Sequence, residues 1–186
     1  MLDEVVEEVG DALVIQVVTD NASAYKTAGR MLIEKRPHLY WTPCAAHCID
    51  LMLERLGQLP QHKSVILKAK FVSKFIYNHS WVLSLMRKFT DKEIIRPAVT
   101  RFATAYLTLQ RFKELRQPLE AMFASEEWDK SSWAKKQEGK QVKKIVMKDD
   151  LFWRSTNYAL KTTGSLVKVL RMVDGEMALW DLFMKQ

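Results

Sequence analysis

Glycine and proline are scarce in this chain, six and five among 186 residues, and cysteine occurs only twice. The scattered glycines build no phosphate-cradling loop and no nucleophile elbow, and no Ser/His/Asp order stands in their place. Cys44 and Cys48, four residues apart, make no disulfide framework, which fits a reducing compartment. No apolar run approaches the length of a membrane span, and the acidic opening MLDEVVEEVGDAL lacks the basic region of a secretory signal. Carboxylates are missing altogether from Arg55 to Thr90.

Present instead is a 48% hydrophobic content, which excludes wholesale disorder. The length supports one good core, or one core plus a partial second domain. The net charge of +7, from 29 basic and 22 acidic residues, favours polyanionic partners, although solubility alone can account for it.

The chain is organised around Ile15 to Leu56. Met1 to Leu13 reads as a short helix. The β-branched run Ile15–Thr19 has the length of a buried strand. Asn21 or Ser23 can cap the helix that follows, which stops before Pro37. His38–Thr42 reads as a second strand, parallel to the first because a helix joins them. A second helix then runs from Cys44 to Leu56, apolar along Ala45, Ile49, Met52, Leu53 and Leu56 and polar along His47, Asp50 and Glu54. Beyond Pro60 only helical patterns recur: Val65, Ala69, Val72 and Ile76 share one face opposite Lys63, Lys70 and Lys74. Further helices fit Trp81–Phe89, Arg101–Leu115, Pro118–Ala124, Gln141–Val146, Asp150–Lys161 and Leu166–Val173, with Pro97, Pro118 and Gly164 between them. Lys130 to Lys148, seven lysines against Glu138, reads as a solvated loop or an exposed helix. The fold class is thus an α/β front part followed by a mainly α-helical region, predominantly helical overall.

Four features bear on chemistry. Asp20 ends the first strand, at the sheet edge where α/β proteins place ligands, and a hard cation would take its carboxylate. A turn or helix-capping aspartate is the commoner reading of that spacing. Cys44, His47 and Cys48 have metal-ligand chemistry but lack a complementary pair to complete a zinc site. Site-facing and surface readings of His47 are balanced; a metal group drawn from Asp20, His47, Asp50 and Glu54 is a disfavoured third reading. The acid-free stretch offers Lys63, Lys70 and Lys74 to phosphates, with Tyr77 or Trp81 for stacking; the alternative is an amphipathic helix with a solvated lysine face. Arg101-Phe102 is by itself only a helix start with an arginine.

The run VVTDNASAYKTAGRMLIEKRPHLYWTPCAAHCIDLMLERLG resembles plant hAT-superfamily transposases, and the likeness continues through KAKFVSKFIYNHSWVLSLMRKFT, RPAVTRFATAYLTLQRF, MFASEEW and FWRSTNYALKTTGSLVKVLRMVDGE. It is nearest to domesticated or decayed relatives, which carry a domain of unknown function ahead of the hAT core. The resemblance implies a ribonuclease H-like fold interrupted by a helical insertion. Residues 1–58 would be a partial α/β core and residues 59–186 the insertion-type region. The complete family enzyme is a DNA transposase with an Asp, Asp, Glu triad holding two Mg²⁺ ions. Asp20 matches the second Asp, and Cys44 and His47 match a motif near the active site. Arg101-Phe102 stands where the family commonly has Arg-Trp against an extruded base.

The other two carboxylates of the triad have no match in this chain. The resemblance therefore implies a transposase-derived fragment that is not catalytic alone, needs no cofactor of its own and retains DNA binding through Lys63, Lys70, Lys74, Arg101 and Phe102. It also implies residence in the nucleus, possible full-length relatives as partners, and no membrane association. The alternative is a helical protein–protein interaction module with exposed Trp128, Trp133 and Trp153 as anchors.

Overall fold

The computed structural model describes residues 2–95 and 103–173. The front runs α1 (Leu2–Val9), β1 (Gln16–Thr19), α2 (Ser23–Lys35), β2 (Tyr40–Pro43) and α3 (Ala45–Gln58). Helices follow without further strands among the described residues: α4 (Pro60–Asn78), α5 (Ser80–Phe89), α6 (Ala103–Glu114), α7 (Arg116–Ala124), α8 (Glu126–Lys130), α9 (Ser132–Lys135), α10 (Gln137–Lys148) and α11 (Asp150–Val173). The protein is predominantly helical, with a small parallel sheet near its start. It divides into two compact units, one up to Met52 together with the described residues from Leu170 onward, the other Leu53–Val169.

In the first unit the expected parallel pairing is present, with Gln16 opposite Tyr40 and Thr19 opposite Pro43. α1 ends at Gly10, whose φ of 102° is the left-handed conformation that glycine adopts freely. Asp3 and Glu7 lie one helical turn apart on α1, and Asp11 follows the turn. All three reach Arg36: its Nε lies 2.8 Å from Asp3 Oδ1 and its Nη2 2.8 Å from Glu7 Oε1, while its Nη1 pairs with Asp11. Lys35 also pairs with Asp3. Beneath these ion pairs Val6, Leu32 and Leu39 form a small core flanked by Leu2, Val14 and Val17. α2 approaches β2 closely at Gly29, where an added Cβ would sit 2.3 Å from the Trp41 indole.

The reading of Ile15–Thr19 as a buried strand is corrected. β1 alternates exposed and half-buried residues, and Ile15 is 73% exposed. Parallel sheets ordinarily have both faces covered. Here the face carrying Val18 and Tyr40 is open, so only alternate residues gain cover. The cap of α2 also differs. Ala22 occupies it, and its methyl side chain has no oxygen to cap with; Asp20 Oδ1 instead accepts from the Ala22 N–H at 2.9 Å.

The second unit buries its apolar stripes far more completely. Val65, Ala69, Val72 and Ile76 of α4 are all buried, as their spacing predicts. Leu85, Met86, Leu109, Phe112, Leu119, Met122, Phe123, Trp128 and Phe152 are buried as well. Three expectations change here. Lys130–Lys148 is helical and half inward-facing, since α10 buries Gly139, Val142, Ile145 and Val146. Gly164 does not break α11, which runs continuously across it. One exposed glycine costs a helix about 1 kcal/mol, and Thr156, Ala159 and Thr163 maintain a buried stripe up to it. The tryptophan anchors are not exposed. Trp128 is fully buried with Phe123 at 4.7 Å, and Trp153 is buried with its Nε1 donating to the Val146 carbonyl at 3.0 Å. Trp133 is half-buried, its ring met by His79 at 3.9 Å and by the Lys136 ammonium at 3.7 Å.

Candidate functional site

Parallel strands end at the same sheet edge, and that topology decides what stands beside Asp20. Thr19 is paired with Pro43, and the Cys44 N–H donates to the Thr19 carbonyl at 2.7 Å. Asp20 and Cys44 are the next residues of the two strands, so both leave the sheet at its C-terminal edge. Trp41 braces that edge through an indole N–H donated to Thr19 Oγ1 at 3.0 Å. His47 follows in the first turn of α3; it is half-buried, as are the free thiols of Cys44 and Cys48.

Asp20 is exposed and spends one oxygen on the turn into α2, which is the turn aspartate of the alternative reading. Its other oxygen makes no hydrogen bond among the described residues. A two-metal centre needs several carboxylates converging on one point. Among the described residues no three His, Cys, Asp or Glu side chains group as metal ligands would. That removes the group drawn from Asp20, His47, Asp50 and Glu54, and Mg²⁺ does not fit the donors assembled here.

The basic stretch resolves differently from its sequence. Lys68 pairs with Asp149 at 2.6 Å, Arg87 with Glu93 at 2.6 Å, and Lys88 with Glu127 at 2.7 Å. In the second basic region Lys130 pairs with Glu126 at 2.5 Å and Lys143 with Asp129 at 2.7 Å. Tyr77 is occupied too, donating to Glu93 Oε2 at 2.6 Å, whereas Trp81 is 41% exposed. Lys63, Lys70 and Lys74 are exposed and have no ion-pair partner among the described residues. At 100° per residue they fall within one narrow stripe of α4, together with the exposed Leu67. Arg101 and Phe102 lie outside the described residues.

Residues 1–72 match the model of a family described as a domain of unknown function, DUF659. That domain is found in hAT-like transposase-related proteins. No curated protein and no solved structure matches the chain significantly. The matched segment runs from α1 into α4, so it contains the Asp20 and Cys44 edge, His47, Lys63 and Lys70.

Sequence reasoning missed two features in the helical unit. His62, on α4, is buried: its Nδ1 lies 3.1 Å from the Tyr106 hydroxyl and its Nε2 3.3 Å from Thr162 Oγ1. The Tyr106 hydroxyl passes the chain on, donating to the Leu53 carbonyl at 3.3 Å. Burial lowers the His62 pKa and pushes the Tyr106 phenol up to about 12, so both favour their neutral forms. A lone histidine among lysines carries no sequence signal for this role. The second feature is the outer face of α11, where Arg154, Lys161 and Lys168 repeat every seven residues and no carboxylate occurs from Leu151 to Val173. That signal was legible.

Proposed function

We propose that this chain is a hAT transposase-derived protein that binds DNA and does not cut it on its own. The stripe Lys63, Lys70 and Lys74 carries the reading. Three exposed ammonium groups without carboxylate partners among the described residues span about 16 Å along one helix face. Cations held that way gain little from the protein and much from displacing counterions on a phosphate backbone. The match to a domain found in transposase-related proteins supports the choice of DNA as the polyanion and the nucleus as its place. Asp20 would serve as a metal ligand only where further carboxylates join it, and no group of three such ligands forms among the described residues.

Titration against duplex DNA at two salt concentrations tests this. Binding should weaken steeply with salt, and Lys63→Ala, Lys70→Ala and Lys74→Ala together should flatten the log–log slope by about 0.9 per lost phosphate contact. Absence of binding even at low salt refutes the proposal.

A further inference from the structure

We infer that the outer face of α11, centred on Tyr158, receives an unpaired base, so that the protein prefers single-stranded to duplex nucleic acid. The inference rests on the nucleic-acid-binding reading and deepens it. His62 fastens the first turn of α4 to the middle of α11: its ring meets Tyr158 edge-on at 5.7 Å, and its Nε2 meets Thr162. Lys63 follows His62 in the chain, so the basic stripe of α4 begins beside this part of α11.

Tyr158 is 49% exposed, although it belongs to a helix whose opposite side is buried. His62 fixes one edge of the ring, while the phenol hydroxyl makes no hydrogen bond among the described residues. Arg154 stands one turn before it and Lys161 one turn after, displaced along the axis by about 6 Å and about 4.5 Å. Both are exposed, and neither has an ion-pair partner among the described residues. The neighbouring groove does contain a carboxylate, Glu114, but Arg111 at 3.3 Å and Gln110 at 3.2 Å hold it. Asp149, at the start of α11, is bound by Lys68.

An aromatic ring flanked by two exposed cations suits one nucleotide: the base stacks on the ring and the adjoining phosphates meet the charges. Bases inside a duplex are already stacked and cannot reach the ring. Backbone contacts alone do not distinguish the two forms in this way, so Tyr158 would be the discriminating residue.

Fluorescence anisotropy with a labelled single strand and with the matching duplex provides the test. Tyr158→Ala should lose about 5- to 150-fold in single-strand affinity, with duplex affinity and both salt slopes unchanged. Tyr158→Phe should retain single-strand affinity, because it keeps the stacking surface. Arg154→Ala with Lys161→Ala should instead lower the single-strand salt slope by about 0.7 per charge. Equal affinity for the two forms overturns the inference, as does a Tyr158→Ala protein with wild-type circular dichroism and melting that binds single strands normally. If duplex binding depends on Lys63, Lys70 and Lys74 while Tyr158 is indifferent, this inference fails and the α4 reading stands. Binding of neither form refutes both.

Discussion

The two compact units draw on similar residue types and bury them very differently. In the helical unit Trp128, Tyr106, Phe112, Phe123, Phe152, Leu119 and Met122 are essentially inaccessible to water. In the first unit the core is Val6, Leu32 and Leu39, while Leu13, Ile15, Val18, Met31 and Tyr40 remain more than half exposed. The difference follows from what each element needs. An amphipathic helix has one stripe to cover, and one or two neighbouring helices cover it. A parallel strand has two faces and two edges, and a two-stranded sheet with helices on one face leaves much of that open. A unit of about seventy residues is in any case near the size at which a single core becomes marginal. The ion pairs of Arg36 with Asp3, Glu7 and Asp11 are therefore a larger share of what holds the first unit than such pairs are of the second.

The largest expected effect lies in the helical core. Trp128→Ala removes a fully buried ring packed between Phe123 and Phe75 and should cost about 3–5 kcal/mol. The loss is measured as a lower denaturant midpoint. Trp128→Phe should be much milder, because the indole N–H has no hydrogen-bond partner among the described residues to lose. If both substitutions were mild, the contrast between the two cores would disappear.

Leu32→Ala, in the first unit, should fall near the low end of the range for such truncations, about 2 kcal/mol. The thin core can collapse or admit water around the smaller side chain. Hydrogen exchange should show the loss confined to amides of α1, α2 and the two strands. A loss spread equally over α4 to α10 would mean that the units do not unfold separately.

The smallest effect is a difference in acid sensitivity. Burial lowers the His62 pKa, so its contribution to the helical unit is complete above the ordinary histidine value of about 6.5 and declines as pH falls below it. Asp3 is held below the usual carboxylate range by the hydrogen bond from Lys35 and then by that from Arg36. Its contribution to the first unit persists at that pH and is lost only as pH falls below about 4. Lowering the pH from 8 to 5 should thus weaken the helical unit selectively in unfolding measurements, and His62→Gln should abolish that selectivity.

Much of this architecture could be read along the chain. The spacing of Val65, Ala69, Val72 and Ile76 requires a helix with one buried face, and a helix between two short strands favours parallel pairing. Both hold. The 3.6-residue period survives in any surroundings, because a helix satisfies its own backbone. Gly164 misled because an exposed glycine is a weak breaker when the residues around it keep a buried stripe.

Charge and exposure were not legible in the same way. The stretch from Arg55 to Thr90 contains no carboxylate, yet Lys68, Arg87 and Lys88 each meet one brought from elsewhere in the chain: Asp149, Glu93 and Glu127. Lys63, Lys70 and Lys74 meet none among the described residues; the helical period sets them on a different side of α4 from Lys68, but nothing local says which side a carboxylate will reach. Trp128 and Trp153 looked like surface anchors amid lysines and are core residues. Local order along a chain sets backbone conformation and the period of its apolar faces. Which charges are neutralised, and which aromatic rings meet water, depends on contacts between residues far apart in sequence, and those exist only once the helices have packed.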